Sequence, residues 1–141
     1  RELTSRIKIP ISLFKNTNGC VCMLKETLPS SVYVDYYELK ADKSHLKGSQ
    51  VICPNVDTEK PEYLSEPTDV SVITPVLYQD GDSMVTNVTL PFHIRYHAPG
   101  RDKERKVTIK INNPRLLVHC QNGNMYGIFI STVEETNFAH I

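Results

Sequence analysis

Residues 90–100 read Leu90-Pro-Phe-His-Ile-Arg-Tyr-His-Ala-Pro-Gly100. Leu90, Phe92, Ile94 and Tyr96 share one parity; Pro91, His93, Arg95 and His97 share the other. Successive side chains of a strand point to opposite faces, so the stretch predicts one strand with an apolar and a polar face. The apolar set seals a core. The polar set puts two imidazoles and a guanidinium in one row, each about 6.6 Å from the next. Ala98-Pro-Gly100 closes the strand with turn residues.

The same period recurs on either side. Ile7, Ile9, Ile11 and Leu13 alternate with Lys8, Pro10 and Ser12, and a proline there suits an edge strand. Turn chemistry at Asn16-Thr-Asn-Gly19 leads to a strand with Cys20, Cys22 and Leu24 on one face. Leu28-Pro-Ser30 interrupts, and Ser31 to Val34 extends again. Val70 to Tyr78 is β-branched and apolar with a bend expected at Pro75. Asp80-Gly-Asp-Ser83 predicts a hairpin turn into the strand that starts at Met84. A charged loop over 101–106 precedes Val107, Ile109 and Ile111, which predict a further strand. Leu116, Val118 and Cys120 predict the next, and Met125 to Val133 the last, with turns at Asn112-Asn-Pro114 and Asn122-Gly-Asn124.

One segment has a different period. Asp35 and Glu38 have capping-box spacing, and Tyr36, Leu39 and Leu46 form an apolar stripe, so a short helix is predicted over 36–46. Residues 59–68 hold Pro61 and Pro67 and read as a surface loop. Many short strands separated by turns predict a mainly all-β fold, a β-sandwich or barrel of about seven to nine strands with one short helix.

A length of 141 residues suits a single domain over 1–141. Acidic and basic residues balance at 16 each, which argues against the strongly basic field of a nucleic-acid binder. No apolar run reaches the roughly 20 residues of a membrane-spanning helix. The chain starts at Arg1 and not at Met, so a processed start is expected.

Cys20 and Cys22 point to the same side of one strand and are poorly placed to bond each other. If all four cysteines are oxidised, each of that pair reaches Cys53 or Cys120; free core thiols are the second reading. Cys20-x-Cys22 is one residue short of the usual zinc spacing, so no metal is expected there. Asn87-Val-Thr89 is an N-glycosylation sequon. Together with the cysteines it points to the secretory pathway.

Catalytic constellations are hard to find. Asp80-Gly-Asp82 resembles a metal-holding Asp-x-Asp, but Asp-Gly between apolar runs is a standard tight turn. His93 and His97 stand about 13 Å apart on a strand, too far to share one metal, with His119 in a later strand. There is no nucleophile elbow and no glycine-rich phosphate loop. No catalytic residue, metal or cofactor is therefore expected, and the outward basic row reads as a docking surface.

Three stretches in order carry a resemblance: Leu28-Pro-Ser-Ser-Val-Tyr-Val-Asp35 with Tyr37-Glu-Leu39; Pro61-Glu-Tyr-Leu-Ser65; and residues 90–99 with Ile111-Asn-Asn-Pro114 and Cys120. On these the chain resembles the luminal domain of the PIG-X family, the accessory subunit of glycosylphosphatidylinositol (GPI) mannosyltransferase I. The resemblance implies a non-catalytic protein of the endoplasmic reticulum that stabilises a multispanning mannosyltransferase. That partner adds the first mannose of the GPI anchor precursor. It also implies a single C-terminal transmembrane helix, which these 141 residues do not contain. Cys20 and Cys120 match family cysteines, so the resemblance implies a Cys20–Cys120 bridge with Cys22–Cys53 as an addition. His93, Arg95 and His97 are then expected to face the partner, with Tyr33 and Tyr37 as aromatic contacts and Asn87 as the glycosylated residue. The competing expectation is a free-standing secreted β-sandwich binding carbohydrate or protein through Tyr33, Asp35 and Tyr37. A third is a metal-dependent enzyme using Asp80, Asp82 or the histidines.

Overall fold

The computed structural model describes residues 1–14, 20–46, 48–74, 78–99, 107–120 and 126–128. In chain order it holds β1 (Glu2–Pro10), β2 (Cys20–Leu28), β3 (Val32–Tyr33), α1 (Tyr36–Ala41), β4 (Gln50–Ile52), β5 (Thr68–Thr74), β6 (Tyr78–Asp80), β7 (Ser83–Pro91), β8 (His93–Ile94), β9 (Arg115–Cys120) and β10 (Tyr126–Ile128). Single 3-10 turns occupy Ile11–Phe14, Ser44–Leu46 and Glu62–Leu64. The fold is mainly β with one short α-helix, as the strand-and-turn spacing predicts. No helix among the described residues is long and apolar enough to cross a membrane.

All ladders among the described residues are antiparallel. One sheet runs β1-β7-β6, a second β10-β9-β2-β5-β4, and β3-β8 form a two-stranded ribbon. The long β1–β7 ladder runs from Glu2 opposite Pro91 to Pro10 opposite Ser83. In the larger sheet β2 is central, with Cys20 opposite Cys120 on one side and Cys22 opposite Thr74 on the other.

Alternation in these strands maps onto burial. Leu3, Ile7 and Ile9 of β1 and Val88 and Leu90 of β7 meet Cys22, Leu24 and Leu28 of β2, Val70 and Val72 of β5, and Leu116 and Val118 of β9 in one cluster. Two sheets sharing one core make a sandwich. Each fully buried aliphatic side chain contributes about 1.5–3 kcal/mol. Val32, Val34, Leu39 and Leu46 join the same cluster from the segment around β3 and α1.

Four expectations are corrected. Residues 90–97 are not one strand. β7 ends at Pro91, which has no N–H to donate to a ladder. The Phe92 N–H then donates to the Arg1 carbonyl at 2.8 Å, and the chain leaves for the β3 ribbon, with His93 opposite Tyr33 and Ile94 opposite Val32. Leu90, Phe92 and Ile94 keep the core side with Pro91 buried beside them, and beyond β8 the pattern fails: Arg95 is buried and Tyr96 is 82% exposed.

Residues 108–111 alternate in burial, with Ile111 buried and Val107 before them exposed, yet 107–111 pair with no strand among the described residues. Alternation reports a buried side; it does not supply a ladder partner. The first strand stops at Pro10, and Ile11 turns to donate its N–H to the Asp82 carbonyl at 2.8 Å. The helix predicted over 36–46 is broken in two. Asp42 ends α1, and its Oδ1 accepts from the Ser44 N–H at 2.9 Å, starting the 3-10 turn that buries Leu46. The turns at 16–19 and 122–124, the bend at Pro75, the loop 101–106, the Leu13 side chain and most of the last predicted strand lie outside the described residues.

Candidate partner-binding surface

The β3–β8 ribbon, α1 and the loop 57–65 come together around Tyr33. Tyr33 and His93 are direct cross-strand partners, and their rings stack with centroids 5.3 Å apart at 24°. His93 Nε2 pairs with Glu38 Oε2 at 2.5 Å. Glu38 is delivered by the first turn of α1, which Asp35 caps: its Oδ1 accepts from the N–H groups of Tyr37 (2.8 Å) and Glu38 (3.3 Å). The capping spacing read from the sequence is thus realised at Asp35, while Oε2 of Glu38 faces the ribbon.

Arg95 is the buried centre of this group, 6% exposed. Its backbone N–H donates to the Ser31 carbonyl at 2.8 Å. Its Nη1 donates to the carbonyls of Asp57 (2.6 Å) and Lys60 (2.7 Å), and its guanidinium carbon lies 4.7 Å from the Tyr33 ring centroid. Carbonyl dipoles and an aromatic face thus surround the cation, as charge-assisted bonding and cation–π attraction favour. Burial, with the charge of Asp35 next, pushes the Tyr33 phenol above its usual range, and Arg95 pulls it back. The expectation that Arg95 faces a partner is therefore overturned. Its side chain lies on the His93 face and is buried because the Tyr33 ring and the loop 57–60 cover that face, and it ties down the loop.

That tie has an outcome on the surface. The Glu62 N–H donates to the Tyr96 carbonyl at 2.9 Å, and Ser30 Oγ donates to Glu62 Oε1 at 3.2 Å. The turn Glu62–Leu64 is closed by Leu64 N–H to Pro61 O (3.2 Å) and Ser65 N–H to Glu62 O (3.0 Å). On this frame Tyr63 (61% exposed), Leu64 (56%) and Tyr96 (82%) face solvent. The sequence reading did not assign them. Parity placed Tyr96 in the core, and Tyr63 and Leu64 fell in a loop. The available signal was the Pro61–Ser65 stretch itself, which already carried the family resemblance.

The family model described as PIG-X / PBN1 matches residues 1–139. The chain belongs to the PIG-X / PBN1 family. Curated relatives described as "GPI alpha-1,4-mannosyltransferase I, stabilizing subunit" are 31% identical in Homo sapiens and 30% in Rattus norvegicus, each over 124 residues. These matches cover 85% of this chain, and 45% and 46% of the two relatives. The chain thus spans under half the length of the relatives it matches. No solved structure matches.

The other predicted residues of this PIG-X / PBN1 chain fall as follows. His97 is half-buried, lies beyond β8, and its buried Nε2 has no hydrogen-bond partner among the described residues. Tyr37 is 63% exposed, and its hydroxyl accepts from Asn55 Nδ2 at 3.2 Å. In the carbohydrate reading, Asp35 already commits its Oδ1 to capping α1. Asp80 pairs with Arg6 at 3.6 Å, and Gly81, with φ of +58°, makes the two-residue turn between β6 and β7. Asn87 is exposed in the middle of β7.

Cys20 is disulfide-bonded, and the residue opposite it in the ladder is Cys120. Cys22 and Cys53 are free thiols, so the expected Cys22–Cys53 bridge is corrected. Cys22 sits on β2, whereas Cys53 follows β4, and β5 lies between those strands. Two strand spacings are about 9.5 Å, beyond the roughly 7 Å Cα separation a disulfide spans.

Proposed function

We propose that this chain is the luminal, non-catalytic domain of a subunit that stabilises GPI mannosyltransferase I, the enzyme adding the first mannose to the GPI anchor precursor. The observation that carries this reading is family membership along residues 1–139, with relatives described as stabilising subunits of that enzyme. Residues 1–141 form one domain in the endoplasmic reticulum lumen. Support comes from the disulfide-bonded Cys20 and from the exposed Asn87 of the sequon, both suited to an oxidising, glycosylating compartment. The partner is the multispanning catalytic subunit, and a C-terminal helix outside these residues anchors the full-length protein beside it.

The partner-facing surface is centred on Tyr63, Leu64 and Tyr96, with Tyr37 on the neighbouring helix. Exposed tyrosines on a rigid frame suit interface anchors, since they bring contact area at low entropic cost. Tyr33, His93 and Arg95 act behind this surface by holding the ribbon and loop in register. Co-purification tests the reading. The full-length protein is expected to bring down the catalytic subunit, whose cellular level falls when this protein is removed. A full-length protein that never co-purifies with that subunit, or a purified chain that transfers mannose unaided, overturns it.

A further inference from the structure

A cavity of about 350 Å³ opens between α1 and β4. Leu39, Leu46 and Val51 give it an apolar wall, Lys40 and Lys43 stand exposed at its margin, and Cys53 lines it. Lys40 Nζ lies 5.9 Å from the Tyr36 ring centroid. Among the described residues, no carboxylate lines the cavity and none pairs with either lysine. β4 is the terminal strand of its sheet among the described residues, so no further strand covers the opening there.

From this we infer that the cavity binds an amphiphilic anion, its acidic head between Lys40 and Lys43 and a single alkyl chain along Leu39, Leu46 and Val51. Charge complementarity selects the head, because the described lining holds two cations and no carboxylate, which favours a carboxylate or phosphate monoester. Size selects the tail. The volume sits at the low end of the about 300–1,000 Å³ typical of ligand cavities, enough for one chain and not for two. The inference does not depend on the stabilising-subunit reading, since it rests on this cavity alone.

Cys53 provides a reporter within the cavity. It is half-buried, whereas Cys22 is fully buried and serves as the internal control for unfolding. The rate of Cys53 alkylation by iodoacetamide is followed by peptide mass in the folded chain. Dodecyl phosphate, dodecanoate, inorganic phosphate and the neutral dodecyl maltoside are compared, the detergents below their micelle concentrations. At about ten times its Kd, an anionic amphiphile is expected to slow alkylation about tenfold. Dodecyl maltoside and inorganic phosphate are expected to leave it unchanged. The Lys40→Glu/Lys43→Glu variant, altered only at exposed side chains, is expected to lose protection. Protection by dodecyl phosphate alone assigns a phosphate head; protection by dodecanoate alone assigns a carboxylate. The inference is overturned if neither protects, if dodecyl maltoside or inorganic phosphate protects equally, or if protection survives in the double-lysine variant.

Discussion

The guanidinium carbon of Arg95 lies 4.7 Å from the centroid of the Tyr33 ring, and the Nη1 of the same group holds two loop carbonyls, those of Asp57 and Lys60. One buried cation therefore joins the β3–β8 ribbon to the loop that displays Tyr63 and Leu64. Hydrogen bonds to charged groups contribute about 1.5–3 kcal/mol each and a desolvated cation–π contact about 2 kcal/mol. The Asp57 and Lys60 residues are themselves exposed, so their carbonyls rehydrate on truncation. Arg95→Ala is expected to cost about 2–4 kcal/mol, read as a lower urea midpoint at unchanged m. Arg95→Lys recovers only part of this, because an ammonium lacks the planar face that meets Tyr33. A loss under about 0.5 kcal/mol for the alanine variant would show that the loop stands without its post.

The His93–Glu38 pair answers differently. Both side chains are about two-fifths exposed, and exposed ion pairs contribute about 0.2–1 kcal/mol. Glu38→Gln is therefore expected to lower stability by less than about 1 kcal/mol in the same urea titration. A larger cost would place this pair, and not Arg95, at the centre of the ribbon's attachment.

Tyr63→Ser with Tyr96→Ser tests the surface itself. Both rings face solvent, so the double variant is expected to unfold within about 0.5 kcal/mol of the parent. Interface anchors of this type cost about 2 kcal/mol or more when truncated, so co-purification with the catalytic subunit is expected to fall at least about tenfold. Full recovery of the partner by a folded double variant would move the docking surface elsewhere.

Cys22 gives a pH signature. Burial pushes its thiol from 9.0 up to about 11. The folded chain keeps the proton over a range in which the unfolded chain has lost it. This contribution is fully present below pH 9 and is lost as the pH rises towards 11. Two pKa units correspond to about 2.7 kcal/mol. Cys22→Val is expected to remove that part of the alkaline decline when urea midpoints at pH 8 and pH 11 are compared. Parallel declines in variant and parent would rule the thiol out.

The disulfide can be read directly. Non-reducing peptide mapping is expected to recover Cys20 joined to Cys120, with Cys22 and Cys53 alkylated only in their own peptides. Closing a loop of about 100 residues stabilises by about 4.7 kcal/mol on the chain-entropy model. Cys20→Ser is accordingly expected to cost about 2–5 kcal/mol in thermal or urea unfolding. A Cys53–Cys120 peptide would refute the pairing.

What was legible in the sequence was the set of elements with one buried side. Ile7 and Ile9, Cys22 and Leu24, and Leu116 and Val118 face the core as their parity predicts, and Asp35 starts the helix as its position before Tyr36 predicts. What was not legible was the choice of sheet. Periodicity over residues 90–97 is continuous, but the backbone changes partners at Phe92 and leaves its ladder after Ile94, so the core-side parity holds at Leu90, Phe92 and Ile94 and fails at Tyr96. Hence Arg95 was placed on the surface and Tyr96 in the core, each the reverse of the structure. Both hydrogen-bond acceptors of the Arg95 side chain are backbone carbonyls of a distant loop, and no residue-type pattern reports such a bond.

The switch at Pro91-Phe92 also sets how the molecule carries load. The exposed Tyr96 is joined through four residues of backbone to β7, which β1 and β6 flank on both sides. A pull on Tyr96 along the axis of β7 would strain both ladders in shear, so that many bonds resist together and none is peeled singly. A partner gripping that tyrosine would pull on a strand held by ladders along both of its edges.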